Sequence, residues 1–143
     1  MTRFSIRPYA PADAVACARV LDRAWNAGHP YAPRVLDAAA FGAETKGERI
    51  LVAVEEAIGI VGFVSVHELE RFVHNLYVDP ARQGKGIGSA LLARAVALAG
   101  GPASLKCQLR NPGALAFYRR LGWSQGESGE SELGAWVRMH SPE

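Results

Sequence analysis

Apolar residues along the chain follow two different periods. Phe4 and Ile6 alternate with polar neighbours up to Pro8, as a half-buried strand requires, and over residues 11–27 Ala14, Val15, Ala18, Leu21 and Trp25 fall at helical spacing. Gly28 is placed to stop that helix. Pro30 and Pro33 interrupt regular structure around His29 and Tyr31, after which Val35, Leu36, Ala39 and Ala40 suggest a short second helix toward Phe41. Residues 49–54 and 58–66 are mostly β-branched, with Glu55-Glu56-Ala57 as the turn between them, and residues 72–78 supply a third strand of the meander. Ile87, Ala90, Leu91, Ala95 and Leu98 return to helical spacing, and residues 103–109 read as a further strand. Asn111, Pro112 and Gly122 frame the next helix as N-cap, first helical position and C-terminal stop. Residues 123–127 and 133–139 then predict a final hairpin around a polar loop, Ser128-Gly129-Glu130-Ser131-Glu132.

The strand, helix and strand of residues 72–109 favour parallel pairing, and a gap opened between those two strands would make a cleft. The junction at its mouth reads Asp79-Pro80-Ala81-Arg82-Gln83-Gly84-Lys85-Gly86-Ile87-Gly88-Ser89. A glycine-rich turn running into a helix presents unpaired N–H groups at the positive end of the helix dipole, which suits phosphate. Ser89 stands where a dinucleotide fingerprint needs its last glycine, and Lys85 is flanked by glycines with no Gly-Lys-Ser or Gly-Lys-Thr, so neither common nucleotide loop fits.

Gln83, Gly86 and Gly88 meet the pattern Gln/Arg-x-x-Gly-x-Gly/Ala, and the loop resembles the acetyl-CoA loop of the GNAT superfamily of N-acetyltransferases. Leu76-Tyr77-Val78-Asp79-Pro80 is similar to the end of that family's fourth strand, and Ile87-Gly88-Ser89-Ala90-Leu91-Leu92 to the helix after it. A second family segment is resembled by Asn111-Pro112-Gly113-Ala114-Leu115-Ala116-Phe117-Tyr118-Arg119-Arg120-Leu121-Gly122-Trp123. The resemblance is close over residues 50–139 and holds in outline over residues 1–47. It implies a single-domain α/β fold over 1–143, with a mixed central sheet of about six to seven strands and about four helices, and a cofactor cleft where two parallel strands splay.

Composition narrows the setting. The 143 residues suffice for one core, and hydrophobic residues at 49% with charged residues at 21% describe a globular chain. A net charge of +2 and no basic run longer than Arg119-Arg120 argue against a nucleic-acid partner. No apolar run spans a membrane, and the start of the chain has no signal-like apolar region, so a cytoplasmic protein is expected. Cys17 and Cys107 lack metal-type spacing and read as reduced, buried thiols, and no metal is required.

The resemblance implies acetyl transfer from acetyl-CoA to a primary amine of a small-molecule acceptor by direct attack in a ternary complex. Two alternatives stand beside it: an acceptor that is a protein N-terminus or lysine, and a non-catalytic acyl-CoA-binding sensor. The N–H groups of Gln83, Gly84, Lys85, Gly86, Ile87, Gly88 and Ser89 are the candidates for the pyrophosphate, with Arg82 and Lys85 either adding charge or solvated. The resemblance gives the backbone of Leu76 and Val78 to the pantetheine arm and thioester oxygen, where a strand bulge would free N–H groups for an oxyanion. It gives Asn111 a contact with the same arm, in addition to its capping role. Tyr118 matches the family's general acid, since a phenol with pKa about 10 can protonate a departing thiolate; simple packing in the core is the alternative. The base is open between His74, with an ordinary pKa of about 6.5, and Glu68 or Glu70 acting through water. His29, Tyr31 and Asp37 are acceptor contacts if residues 25–41 cover the cleft. Exposed edge strands in the terminal hairpin would allow a homodimer.

Overall fold

A computed structural model describes residues 3–142; Met1, Thr2 and Glu143, part of the single domain expected over 1–143, lie outside the described residues. Seven strands form one sheet in the order β1-β2-β3-β4-β5-β7-β6. β1 (Phe4–Pro8), β2 (Arg49–Glu55), β3 (Gly59–His67) and β4 (Phe72–Val78) pair antiparallel in succession. β5 (Ser104–Gln108) joins β4 in parallel, and β7 (Gly134–His140) and β6 (Ser124–Ser131) complete the sheet antiparallel. α1 (Ala14–Gly28) and α2 (Ala38–Glu44) cover one face, while α3 (Ile87–Ala99) and α4 (Pro112–Arg120) pack on the other.

Each face has its own core because side chains alternate along β3. Phe63 points into a cluster with Cys17, Leu21, Trp25, Phe41 and Val52, whereas Val64 and Val66 join Val73, Leu91, Leu92, Ala95 and Met139. Complete burial of a residue such as Phe63 or Leu91 stabilises the fold by about 1.5–3 kcal/mol. Asp13 accepts from the Arg7 guanidinium at 2.8 and 2.9 Å and from Ala10 N at 2.8 Å. These bonds tie β1 to a 3₁₀ turn over Pro11–Asp13, so α1 starts at Ala14 and turns Val15 out to solvent.

The terminal hairpin departs from its expected form. Residues 128–131, expected as a loop, belong to β6, and the hairpin turns over Glu132 and Leu133 alone. The polar composition fits an edge strand that is exposed along most of its length. Its glycines have a packing reason: a Cβ on Gly129 would lie 2.4 Å from the Trp136 ring, and one on Gly126 would lie 2.4 Å from the His140 ring. The aromatic side chains of β7 lie across the bare backbone of β6, which stabilises glycine in a strand.

Candidate active site

β4 and β5 are paired at one position, Phe72 with Ser104, and then diverge. Beyond it, the side of β4 that faces β5 has no strand partner over Leu76–Val78, while its other side stays paired with β3. The opening is a cleft of about 570 Å³, walled by the ends of β4 and α1, the loop into α3, and α4. The bulge expected to free N–H groups in β4 is present but falls at His74, so the splay and not the bulge exposes the strand's end.

The loop into α3 is shaped by its glycines. Asp79 caps the short turn Pro80–Arg82 by accepting from Ala81 N at 2.9 Å, and Gln83 donates its amide to Val78 O at 3.3 Å. Gly84 and Gly86 then take φ of +79° and +83°, conformations that a side chain makes costly. A Cβ at either would meet no atom within 4 Å, so both face open space. Gly86 O accepts from Ala90 N at 3.1 Å to close the first turn, and it also accepts from Ser89 Oγ at 3.2 Å. The N–H groups of Ile87, Gly88 and Ser89 belong to that first turn and have no intrahelical partner.

The opposing wall is α4. Asn111 Oδ1 accepts from Ala114 N at 3.1 Å, as the N-cap expectation required, and its Nδ2 lies 3.9 Å from where a Gly28 Cβ would stand. The end of α1 and the cap residue of α4 therefore lie near each other at the cleft. Tyr118 reaches the cleft on the same helix face as Ala114, flanked by Phe117 at 5.3 Å and Trp123 at 6.0 Å between ring centroids. Burial raises its phenol well above the ordinary value, so it stays protonated through neutral pH.

Most of the residues expected at the site converge there. Leu76, Val78, Arg82, Gln83, Gly84, Gly86, Ile87, Gly88, Ser89, Asn111, Tyr118 and His29 all line the cleft. The Arg82 guanidinium is turned to the buried carboxylate of Glu55 through two hydrogen bonds, so its charge is already engaged. Lys85, read as either adding charge or solvated, does not line the cleft.

His74 is also absent from the cleft, contrary to its expected place beside Leu76. The bulge sets its ring against α2 and the turn after it, where Nδ1 pairs with Glu48 Oε2 at 2.6 Å and Nε2 lies 3.7 Å from Glu44 Oε1. Glu68 and Glu70 sit in the turn before β4, at the end away from Val78, with Glu68 3.4 Å from Arg49. Tyr31 packs outside the cleft beneath the Arg110 guanidinium at 4.8 Å, its hydroxyl buried without a hydrogen-bond partner. Asp37 caps α2 by accepting from Ala40 N at 2.9 Å. None of residues 30–37 lines the cleft, and α1 reaches it through Ala24, Ala27, Gly28 and its cap residue His29. Sequence reasoning passed over that small-residue stripe, although its i, i+3, i+4 spacing marks one helix face. Tyr77 and Phe117 were missed because each reads as an ordinary core aromatic.

Comparison with known proteins decides the family. The acetyltransferase (GNAT) domain matches residues 46–125, from before β2 to the start of β6, a span that includes the loop, α3, β5 and α4. The chain belongs to the GNAT acetyltransferase family. It is 33% identical over 122 residues to the N-alpha-acetyltransferase RimI of Mycobacterium tuberculosis, covering 80% of this chain and 74% of that protein. It is 31% identical over 123 residues to an uncharacterized protein of Mycobacterium leprae, again over 80% of this chain but 33% of the relative, about a third of its length. The structure of yncA from Salmonella typhimurium, solved with its cofactor acetyl-CoA, superposes with a TM-score of 0.75 at 22% identity, covering 96% of this chain and 92% of that one. Over the described residues the GNAT fold thus has a seven-stranded mixed sheet and four α-helices in one α/β domain.

Among the described residues no group of three or more His, Cys, Asp or Glu is arranged to hold a metal, and no helix is long and apolar enough to cross a membrane.

Proposed function

We propose that this GNAT domain moves an acetyl group from acetyl-CoA to a primary amine of a small-molecule acceptor, by direct attack in a ternary complex. One observation carries the reading: a single cleft joins a helix start with two left-handed glycines to a phenol held protonated. The N–H groups of the loop over residues 83–88 and of the first turn of α3 receive the pyrophosphate, where the helix dipole favours negative charge. The unpaired side of β4 at Leu76 and Val78 takes the pantetheine arm and steadies the thioester oxygen as charge develops on it. Asn111, with its Oδ1 committed to the cap, offers Nδ2 to the same arm. Tyr118 gives its proton to the thiolate that leaves.

Direct attack is supported by the state of the cysteines. Cys107 is buried outside the cleft, and desolvation pushes its thiol up to about 11, so no thiolate stands ready to accept the acetyl group. Both thiols are free and buried, which fits a reducing cytoplasmic setting. The exposed edge of β6 is where a homodimer would form.

A second reading is transfer to the N-terminal amine of a protein. It is favoured by the name of the M. tuberculosis relative, an N-alpha-acetyltransferase.

Titration with acetyl-CoA in a calorimeter, followed by thiol release with a panel of small amines and short peptides, tests both. Binding together with amine-dependent thiol release is expected, and Tyr118→Phe is expected to lower kcat by about 10²–10³-fold with acetyl-CoA affinity preserved. Release with peptides alone selects the second reading. Binding without turnover on any amine indicates a sensor, and no binding overturns the assignment of the loop.

A further inference from the structure

Among the described residues, the lining of the cleft contains no aspartate, glutamate or lysine. Its titratable side chains are Arg82, Arg120, Tyr77, Tyr118 and His29. A guanidinium cannot take up a proton, and burial keeps both phenols protonated at neutral pH. An amine arriving as its ammonium form therefore meets one side chain able to remove a proton.

We infer that His29 is the general base of the acetyl transfer, taking a proton from the acceptor ammonium through Nε2. The inference rests on the acetyl-transfer reading above. Three features of the ring support it. His29 caps α1, and its Nδ1 lies 2.9 Å from Trp25 O, a carbonyl that can only accept, so Nδ1 carries the hydrogen. Nε2 then bears the lone pair, and among the described residues it has no hydrogen-bond partner. The ring is stacked on Trp25 at 3.8 Å with an interplanar angle of 8°, which fixes its plane as well as its tautomer.

The surroundings keep the base neutral until it is needed. Desolvation lowers the His29 pKa below its ordinary value; the Trp25 carbonyl opposes that change and the Arg34 charge adds to it. Arg34 lies over the Trp25 ring at 5.0 Å, Tyr31 is 5.8 Å from the imidazole, and the neutral amide of Asn111 faces the neighbouring Gly28 from α4. Among the described residues no carboxylate faces the ring from within the cleft to stabilise its protonated form.

The protons balance. The acceptor loses one proton to His29, and its nitrogen attacks the thioester carbon, so the C–N bond forms and the C–S bond breaks. Tyr118 protonates the departing thiolate and is restored by the second proton of that nitrogen. His29 returns its proton to solvent, giving one proton released per acetyl group moved.

The test uses the whole chain, acetyl-CoA, and as probes spermidine, lysine amide and an alanine-initiated tetrapeptide. With the fastest probe, kcat/KM of the parent is expected to rise with pH through a midpoint below 6.5 as His29 loses its proton. His29→Asn keeps a donor for the Trp25 carbonyl but cannot act as a base. It is expected to lose about 10²-fold in kcat at neutral pH and to lack that limb, with acetyl-CoA affinity unchanged. A variant within about threefold of the parent, or one keeping the same limb, overturns the inference. Nitrogen-15 NMR of the parent with acetyl-CoA decides independently of folding in the variant and of turnover. Nδ1 protonated, Nε2 bare and titration below pH 6.5 support the role; the other tautomer, or titration at or above 6.5, overturns it. Loss of acetyl-CoA binding by the parent removes the acetyl-transfer reading and this inference with it, whereas intact binding with either contrary result removes this inference alone.

Discussion

The two sides of the cleft are built from different parts of the polypeptide. On the cofactor side, the end of β4 and the start of α3 present backbone, shaped by Gly84 and Gly86 and left bare by the divergence of β5. On the other side, α1 presents small residues and one oriented ring, His29, held by Trp25. A backbone site depends on local conformation and tolerates most side chains. A side-chain site depends on which ring the tertiary packing brings to the edge. The same division explains why the glycine-rich loop could be read from a short motif and the place of His29 in the cleft could not.

Putting a side chain into the backbone wall tests this division most severely. Gly86→Val forces a β-branched residue into φ of +83°, which costs about 1–2 kcal/mol of stability, and sends its side chain into the open space of the cleft. Acetyl-CoA affinity is expected to fall by about 10²-fold in calorimetry, a loss of about 2.7 kcal/mol and so larger than the loss of stability. Equal affinity in the variant would break the comparison.

Asn111 stands where the two sides meet, and its replacement is expected to have a smaller, mixed effect. Asn111→Ala removes the cap of α4 and should cost about 1 kcal/mol in denaturant unfolding. It should also weaken acetyl-CoA binding by about threefold to tenfold through the loss of Nδ2, the range of one ordinary hydrogen bond. A stability loss with no change in binding would confine Asn111 to its structural role.

The smallest effect is expected at Arg82. Its guanidinium is engaged by Glu55, so Arg82→Gln should change acetyl-CoA affinity by less than about threefold, as for a charge whose interaction is already satisfied. A large loss of affinity would show that side-chain charge, and not backbone, dominates the phosphate wall.

Much of the fold was legible because its signals are local. β4 runs over the expected residues 72–78, and α3 begins just past Gly86 as the glycines and helical spacing required. Asn111 and Pro112 cap α4 as read. The α1 side of the cleft was legible only in outline. His74 looked suited to catalysis by its position two residues before Leu76, but one extra residue in β4 turned it to Glu44 and Glu48. Residues 128–131 looked like a loop because Ser, Gly and Glu favour loops. Pairing with residues 134–137 of β7, with the Trp136 ring lying across Gly129, made them a strand.

By itself the sequence determined where backbone must bend and where helices must start, since glycine conformations, N-caps and hydrophobic periods act within a few residues of themselves. It thereby determined the form of the loop that faces the cleft. Tertiary structure alone decided how far β4 and β5 separate, which way the bulge turns His74, and that the ring at the end of α1 stands among the residues of β4 and α4. Those outcomes depend on contacts between segments tens of residues apart, and nothing in the local chemistry of either segment specifies them.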